Sequence, residues 1–246
     1  MGGKKSDVPL IANGKRLDGR LVKELREMNM KIDVAARPNG SSEVSFGHTT
    51  GISGVYGPRD LYPKFKQEAQ TGILRVKYTM LPFSVDDRKN PGHDRRSVEL
   101  SKVIRLALEP SLMLSDFPKS VVDVFIDIIE ADGSTRVTGI NAASLALACA
   151  GVPMRDLIAS CSVGKVDGHL VVDLNGKEDN YGEADLAIAL LPSKDEVTLL
   201  QMDGQLTKHE VMELLHMAKE SCHKIFCRYP AVQTDLIPGS AIPARR

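Results

Sequence analysis

The chain has 246 residues, 42% of them hydrophobic, long enough to bury a sizeable core in one compact unit or two closely packed halves. Its 32 Lys and Arg side chains balance 32 Asp and Glu, so any affinity for an anionic polymer has to come from local clusters and not from overall charge. No apolar run is long enough for a membrane span, the start MGGKKSDVPL lacks a hydrophobic leader, and Cys149, Cys161, Cys222 and Cys227 form neither a C-x-x-C pair nor a zinc spacing; the expectation is a cytoplasmic protein with reduced, buried or partly buried thiols and no membrane partner.

Residues 1–15 read as a flexible arm, small and basic enough for MGGKKS to meet the myristoylation pattern by coincidence. RLDGR, Arg16 to Arg20, is a turn. MKIDVAARPNGSSEVSFGHTTGISGVYGP then predicts a three-strand meander with an Asn-Gly turn, and ILRVKYTML a further strand. From Arg95 the spacing of Leu100, Val103, Ile104, Ala107 and Leu108 predicts an amphipathic helix, ended or kinked by Pro110. VVDVFIDII alternates as a half-buried strand, and INAASLALACAG, small or apolar on every side, predicts a central buried helix stopped by Gly151 and Pro153.

The second half repeats the theme. LIASCSVGKVDGHLVVDL predicts a hairpin turning at Asp167-Gly168, followed by the strands EADLAIALL and EVTLLQM. The last helix opens with a capping box, Thr207 to Glu210, and carries Val211, Leu214, Leu215, Ala218, Cys222 and Ile225 on one face. The fold class expected is α+β, layered, from two similar β-rich halves: an arm over 1–15, a first half over 16–151, a second over 152–229 and an irregular tail over 230–246.

Three constellations carry chemistry. In DDRKNPGHDRR, Arg88, Lys89, Arg95 and Arg96 gather around a Pro-Gly turn, and the last two stand at a helix start, where an anion should accompany them. In EADGSTRVTGINAAS a strand, a loop and a helix N-terminus follow one another, so that free amides, the Thr135 hydroxyl and Arg136 form a candidate phosphate site without a Walker pattern. DLNGKEDNYGEADLAIALL reads as an acid-rich loop with Asp173, Glu178, Asp179, Glu183 and Asp185, the last at the start of an apolar strand, where a carboxylate suits a general acid or a Mg²⁺ ligand.

Taken together, LDGR, VYGPR, PFSVDDRKNPGHDRRSVELSKVIRLALEP, VFIDIIEADGSTRVTGINAASLALACAGVPMRDLI and DLNGKEDNYGEADLAIALLP resemble the ribonuclease PH family over roughly residues 15–225, above all the catalytic subunits of its exosome-type rings. The resemblance implies a duplicated β-α fold with mixed sheets and phosphate-dependent, reversible 3′-to-5′ degradation of single-stranded RNA. It also implies a hexameric ring shared with a related inactive subunit, and an RNA-binding cap protein. It assigns inorganic phosphate, as co-substrate, to Arg96, Ser134, Thr135 and Arg136, and the RNA to Arg95, Lys64, Lys66 and Arg88. Catalysis falls to Asp185 and Asp179, the same pair that would hold Mg²⁺. Lys64 and Lys66 flank Phe65 where relatives carry an arginine and a histidine, Asp87 replaces a usual glutamate, and GHTTG stands for the common GNTK. A non-catalytic ring subunit and a metal-dependent hydrolytic nuclease are the rival readings.

Overall fold

The computed structural model describes residues 9–229 other than Asn13 and His93, so the myristoylation pattern and the tail over 230–246 lie outside the described residues. The segment expected to be a flexible arm through residue 15 is anchored from Leu10 on. Leu10 is buried, the amides of Leu10 and Ile11 donate to Asp167 Oδ2 at 2.6 and 3.1 Å, and β1 (Ile11–Ala12) pairs with β2 (Lys15–Arg16). No helix among the described residues is long and apolar enough to cross a membrane.

The first half is a five-stranded sheet in the order β3-β4-β5-β7-β6, formed by β3 (Met28–Ile32), β4 (Gly40–Phe46), β5 (Thr49–Asp60), β6 (Ile73–Met80) and β7 (Ser120–Glu130). All pairs are antiparallel except β6 with β7, whose parallel register demands the crossover supplied by α1 (Arg95–Leu108). The GHTT stretch makes a tight hairpin with Phe46 opposite Thr49. In β7 the alternation holds for Val122, Val124, Ile126 and Ile128, but Asp123 is buried as well, because Arg59 and Arg75 both ion-pair with it.

The second half is a four-stranded antiparallel sheet, β11-β10-β8-β9, built from β8 (Ala159–Val166), β9 (His169–Val172), β10 (Ala184–Leu191) and β11 (Glu196–Gly204). The turn between β8 and β9 has positive φ at both Asp167 and Gly168, the conformation that Asp-Gly favours. α4 (Lys208–Arg228) opens with the expected reciprocal cap and buries Leu214, Met217, Ala218, Cys222 and Ile225.

α2 (Thr135–Cys149) lies between the two sheets, which is why its sequence is apolar all round. Ile140, Ala143, Ala146 and Leu147 join the core of α1 and the first sheet; Ala142 and Leu145 join that of α4 and the second. Its buried Asn141 is satisfied by Ser160, exchanging hydrogen bonds of 2.8 and 2.9 Å, and by the Tyr229 hydroxyl at 2.9 Å. The helix starts at Thr135, five residues before the apolar run, so Thr135 and Arg136 belong to its first turn and not to the loop. Of the cysteines, Cys161 and Cys222 are buried with thiols pushed up by burial, Cys149 is partly buried, and Cys227, contrary to expectation, is exposed.

Candidate active site

A cleft of about 910 Å³ opens where the N-termini of α1 and α2 meet the entrance of β10 and the end of β11. Arg95, Arg96, Ser134, Thr135, Arg136, Asp179 and Asp185, from three segments far apart in sequence, all line it.

The α1 side departs from the sequence reading. An anion does sit at this helix start, but it is the protein's own: Asp94 accepts from Ser97 N at 2.6 Å and caps the helix. Lys89 lies 2.8 Å from the same carboxylate and, with the Ser97 hydrogen bonds, holds it well below the usual range. The Ser97 amide is therefore committed to Asp94, and what this helix presents to the cleft is the exposed guanidinium pair Arg95 and Arg96.

The start of α2 is different. Its N-cap, Ser134, has φ 54° and makes no side-chain cap; its hydroxyl bonds Ser162 Oγ at 2.6 Å and Leu174 O at 2.8 Å, tying the loop to the second sheet. The hydroxyl assigned to phosphate is thus a strut, while the first amides of α2 have no partner within the helix and no side-chain cap. Thr135 Oγ1 and Arg136 Nε are both buried without a hydrogen-bond partner. Tyr78, whose hydroxyl burial pushes up, has the Thr135 hydroxyl beside it as a hydrogen-bonding neighbour that works against this shift, although the pair falls short of full hydrogen-bond geometry. Burial lowers the Arg136 pKa and nearby Arg96 adds to this, while Asp185 and Asp179 oppose it. Buried donors left open beside two cations are completed by an anion.

The loop before α2 is held by a network absent from the sequence reading. Arg26 forks onto Asp173 at 2.7 and 3.0 Å and reaches the Asp132 carbonyl at 2.7 Å. Thr49 Oγ1 donates to Gly133 O at 2.9 Å and accepts from Asp132 N at 3.0 Å. Gly133 has φ 72°, and a Cβ there would come within 2.6 Å of the Asn175 carbonyl carbon. Gly133→Ala should therefore lower stability by about 1–3 kcal/mol through strain and overpacking. A denaturant midpoint equal to the parent's would show that the loop is not clamped in this way.

The acid-rich stretch is not a loop. It forms a short helix, α3 (Gly176–Tyr181), with a complete Asn175–Glu178 capping box. Its carboxylates have divided tasks. Glu178 is buried against Arg16, and Asp173 against Arg26, both as structural pairs. Glu183 precedes β10 and bonds Lys165 and the Gly168 amide, so it does not share the role of Asp185. Glu183 borders the cleft as well; the two acids of this stretch that line it outside any ion pair are Asp179 and Asp185. Burial raises both; Asp179 raises Asp185 further, whereas Arg96 and Arg136 pull Asp179 down. Strand alternation explains Asp185: Ala189 and Leu191, on its face of β10, pack into the α1–α2 core, and two rungs further on the same face opens into the cleft.

Two such carboxylates are hard oxygen donors that fit Mg²⁺, which binds through one or two carboxylates plus substrate phosphates. Among the described residues no group of three or more His, Cys, Asp or Glu gathers to hold a metal, so a bound ion here would depend on substrate oxygens. Lys64, Lys66 and Arg88 do not line the cleft; the two lysines stand exposed in a 3-10 turn beside exposed Tyr62 and Phe65, and Arg88 in the exposed turn before α1. Sequence reading missed Gln201, Asp203 and Ser162, which do line it. For Gln201 a signal existed: it is polar on the inward phase of the alternation that begins at Leu199.

Two family models cover nearly the whole of both halves: 3′ exoribonuclease family, domain 1, over residues 24–153, and domain 2, over residues 156–221. The chain is 53% identical over 227 residues to the exosome complex component Rrp41 of Thermococcus gammatolerans, covering 92% of this chain and 91% of that one. It is 55% identical over 214 residues to Rrp41 of Pyrococcus furiosus, covering 87% and 86%. Among solved structures, an Archaeoglobus fulgidus exosome with RNA bound to the active site superposes with TM-score 0.78 at 25% identity, over 88% of this chain and 93% of that one. Rice Rrp46, at 19% identity and TM-score 0.78, shares the fold.

Proposed function

The chain belongs to the 3′ exoribonuclease family, and on that premise we propose that it is a phosphorolytic 3′-to-5′ exoribonuclease, the catalytic subunit of an exosome-type ring, that releases nucleoside diphosphates from RNA. Its partners in this reading are single-stranded RNA, a related inactive subunit completing a hexamer, and an RNA-binding cap protein; its place is the cytoplasm. The observation that carries the reading is the pair of open buried donors, Thr135 Oγ1 and Arg136 Nε, in one cleft with Arg96 and Asp185.

Inorganic phosphate is held by Arg136, Thr135 and the first amides of α2, with Arg96 closing over it. Arg95 takes the RNA backbone. Two phosphorus-bearing anions approach only where cations are already in place, and prepositioned guanidinium groups supply them without reorganisation. A phosphate oxygen attacks the terminal phosphorus, the bond to the 3′ oxygen breaks, and that oxygen takes a proton from Asp185, whose raised pKa suits it as an acid. Alternatively, with Asp185 ionised, Asp179 and Asp185 would hold Mg²⁺, which in place of that proton would neutralise charge on the phosphates and the leaving oxygen. The products are a nucleoside diphosphate and an RNA one nucleotide shorter with a free 3′ hydroxyl, and excess diphosphate should drive the reverse, tail-adding reaction.

The five residues Arg95, Arg96, Arg136, Asp179 and Asp185 in one cleft favour an enzyme over a purely structural subunit. Titrating phosphate into the assembled protein tests this: the rate of RNA decay should rise from near zero and saturate. Decay indifferent to phosphate would mean hydrolysis, and none at any concentration would mean a structural subunit. The exposed Lys64–Lys66 turn, outside the cleft, is placed in this reading along the path of longer RNA. Lys64→Glu with Lys66→Glu should weaken binding of long RNA and flatten its salt dependence, the slope falling by about 0.7 for each phosphate of the single strand no longer neutralised. An unchanged salt slope would remove the turn from the path.

A further inference from the structure

We propose that Gln201 reads the ribose 2′-hydroxyl beside the leaving 3′ oxygen, making the cleft selective for RNA over DNA. The inference rests on the phosphorolytic reading above and adds to it a specificity-determining residue.

Gln201 stands on β11 opposite Ala187, two positions along from the pair Asp185 and Asp203, with Leu186 and Met202 between them on the other face. Residues directly opposite on antiparallel strands share a face, as do alternate residues along each strand. The pair Ala189 and Leu199 packs against the core under α1 and α2, so the next two pairs on that face, Ala187 with Gln201 and Asp185 with Asp203, continue it outward into the cleft. Gln201 therefore lies beside Asp185 on a single rigid surface, with the small Ala187 leaving room between them. Its Oε1 is buried and has no hydrogen-bond partner. Buried acceptors in folded proteins are rarely left open unless something else completes them.

The missing partner is a donor. Ionised phosphate oxygens only accept, and they are already served by Arg96, Arg136 and Thr135. The scissile bond joins the last phosphate to the 3′ oxygen of the penultimate nucleotide, and the carbon next to the one bearing that oxygen carries the 2′-hydroxyl. A group beside Asp185 is thus placed for that hydroxyl. The hydroxyl both donates and accepts, as does a carboxamide, so the match holds whichever way the amide is turned. DNA would bring no hydroxyl and leave the acceptor buried and unpaired, the arrangement by which a polar site rejects an analogue lacking the group it binds.

The test compares three RNA oligonucleotides in the assembled protein with saturating phosphate: all-ribose, 2′-deoxy at the penultimate nucleotide only, and 2′-deoxy at the last nucleotide only. First-turnover rates should fall about tenfold or more for the penultimate substitution and stay near the all-ribose rate for the last. Gln201→Leu should slow the all-ribose RNA to the rate of the penultimate-deoxy RNA and abolish the difference between them. Gln201→Met repeats the measurement should the leucine variant fold poorly by circular dichroism. A penultimate-deoxy penalty that persists in the variants, or a variant effect seen only as a higher phosphate half-saturation, overturns the assignment. Parent protein that leaves all-ribose RNA intact with phosphate would instead sink the phosphorolytic reading itself.

Discussion

Asp185→Asn is expected to lower turnover by at least about a hundredfold, the low end for removing a general acid, while RNA affinity stays near the parent's and thermal stability at neutral pH rises. The opposite signs come from one cause. Burial and the neighbouring Asp179 raise the Asp185 pKa above its ordinary value of 3.8. For a carboxylate raised in the folded state, the native protein binds more protons than the unfolded chain between the two pKa values. Stability therefore falls as pH rises through that window, and the full cost is present above it. An amide keeps the shape without the buried charge and is free of that cost, but it cannot donate a proton to the leaving oxygen. Asp179 is raised by burial in the same direction. Binding, single-turnover rate and melting temperature measured on one preparation check all three parts; a variant that is both active and no more stable would make Asp185 an ordinary strand residue.

Arg96→Glu should cost about a thousandfold or more in turnover, because removing one preorganised donor alone costs up to that much and the substitution also reverses the charge facing the phosphate. Folding should survive. Arg96 is exposed in the first turn of α1, and the helix is capped by Asp94 and anchored by Leu100, Ile104, Ala107 and Leu108, none of which the substitution touches. Circular dichroism and a phosphate titration separate the two halves of this expectation. A near-parent rate at saturating phosphate would take Arg96 out of the site.

Periodicity made most of the architecture legible. α1, α4, β7 and the Asp167-Gly168 hairpin are each encoded by local alternation, caps or turn chemistry, and the all-round apolar α2 announced its central position. The residues of the cleft were legible because they sit at element boundaries, where polar groups break an apolar pattern. What escaped was long-range pairing. Arg16 with Glu178, and Arg26 with Asp173, join positions about 150 residues apart, and no local pattern shows that a charge will be buried by a distant partner. The same blindness made α3 look like a solvated acidic loop, although its Asn175–Glu178 spacing is a capping signature. It also hid the local carboxylate at the start of α1, where Asp94, one residue before the arginines, already occupies the Ser97 amide.

In the proposed reaction phosphate itself attacks the RNA. Incubating the assembled protein with RNA and ¹⁸O-labelled inorganic phosphate, then resolving the nucleotide products by mass spectrometry, tests it most directly. Nucleoside diphosphates carrying the label in the β-phosphoryl group are expected, with essentially no product when phosphate is withheld. Unlabelled nucleoside monophosphates, formed at the same rate with or without phosphate, would contradict it.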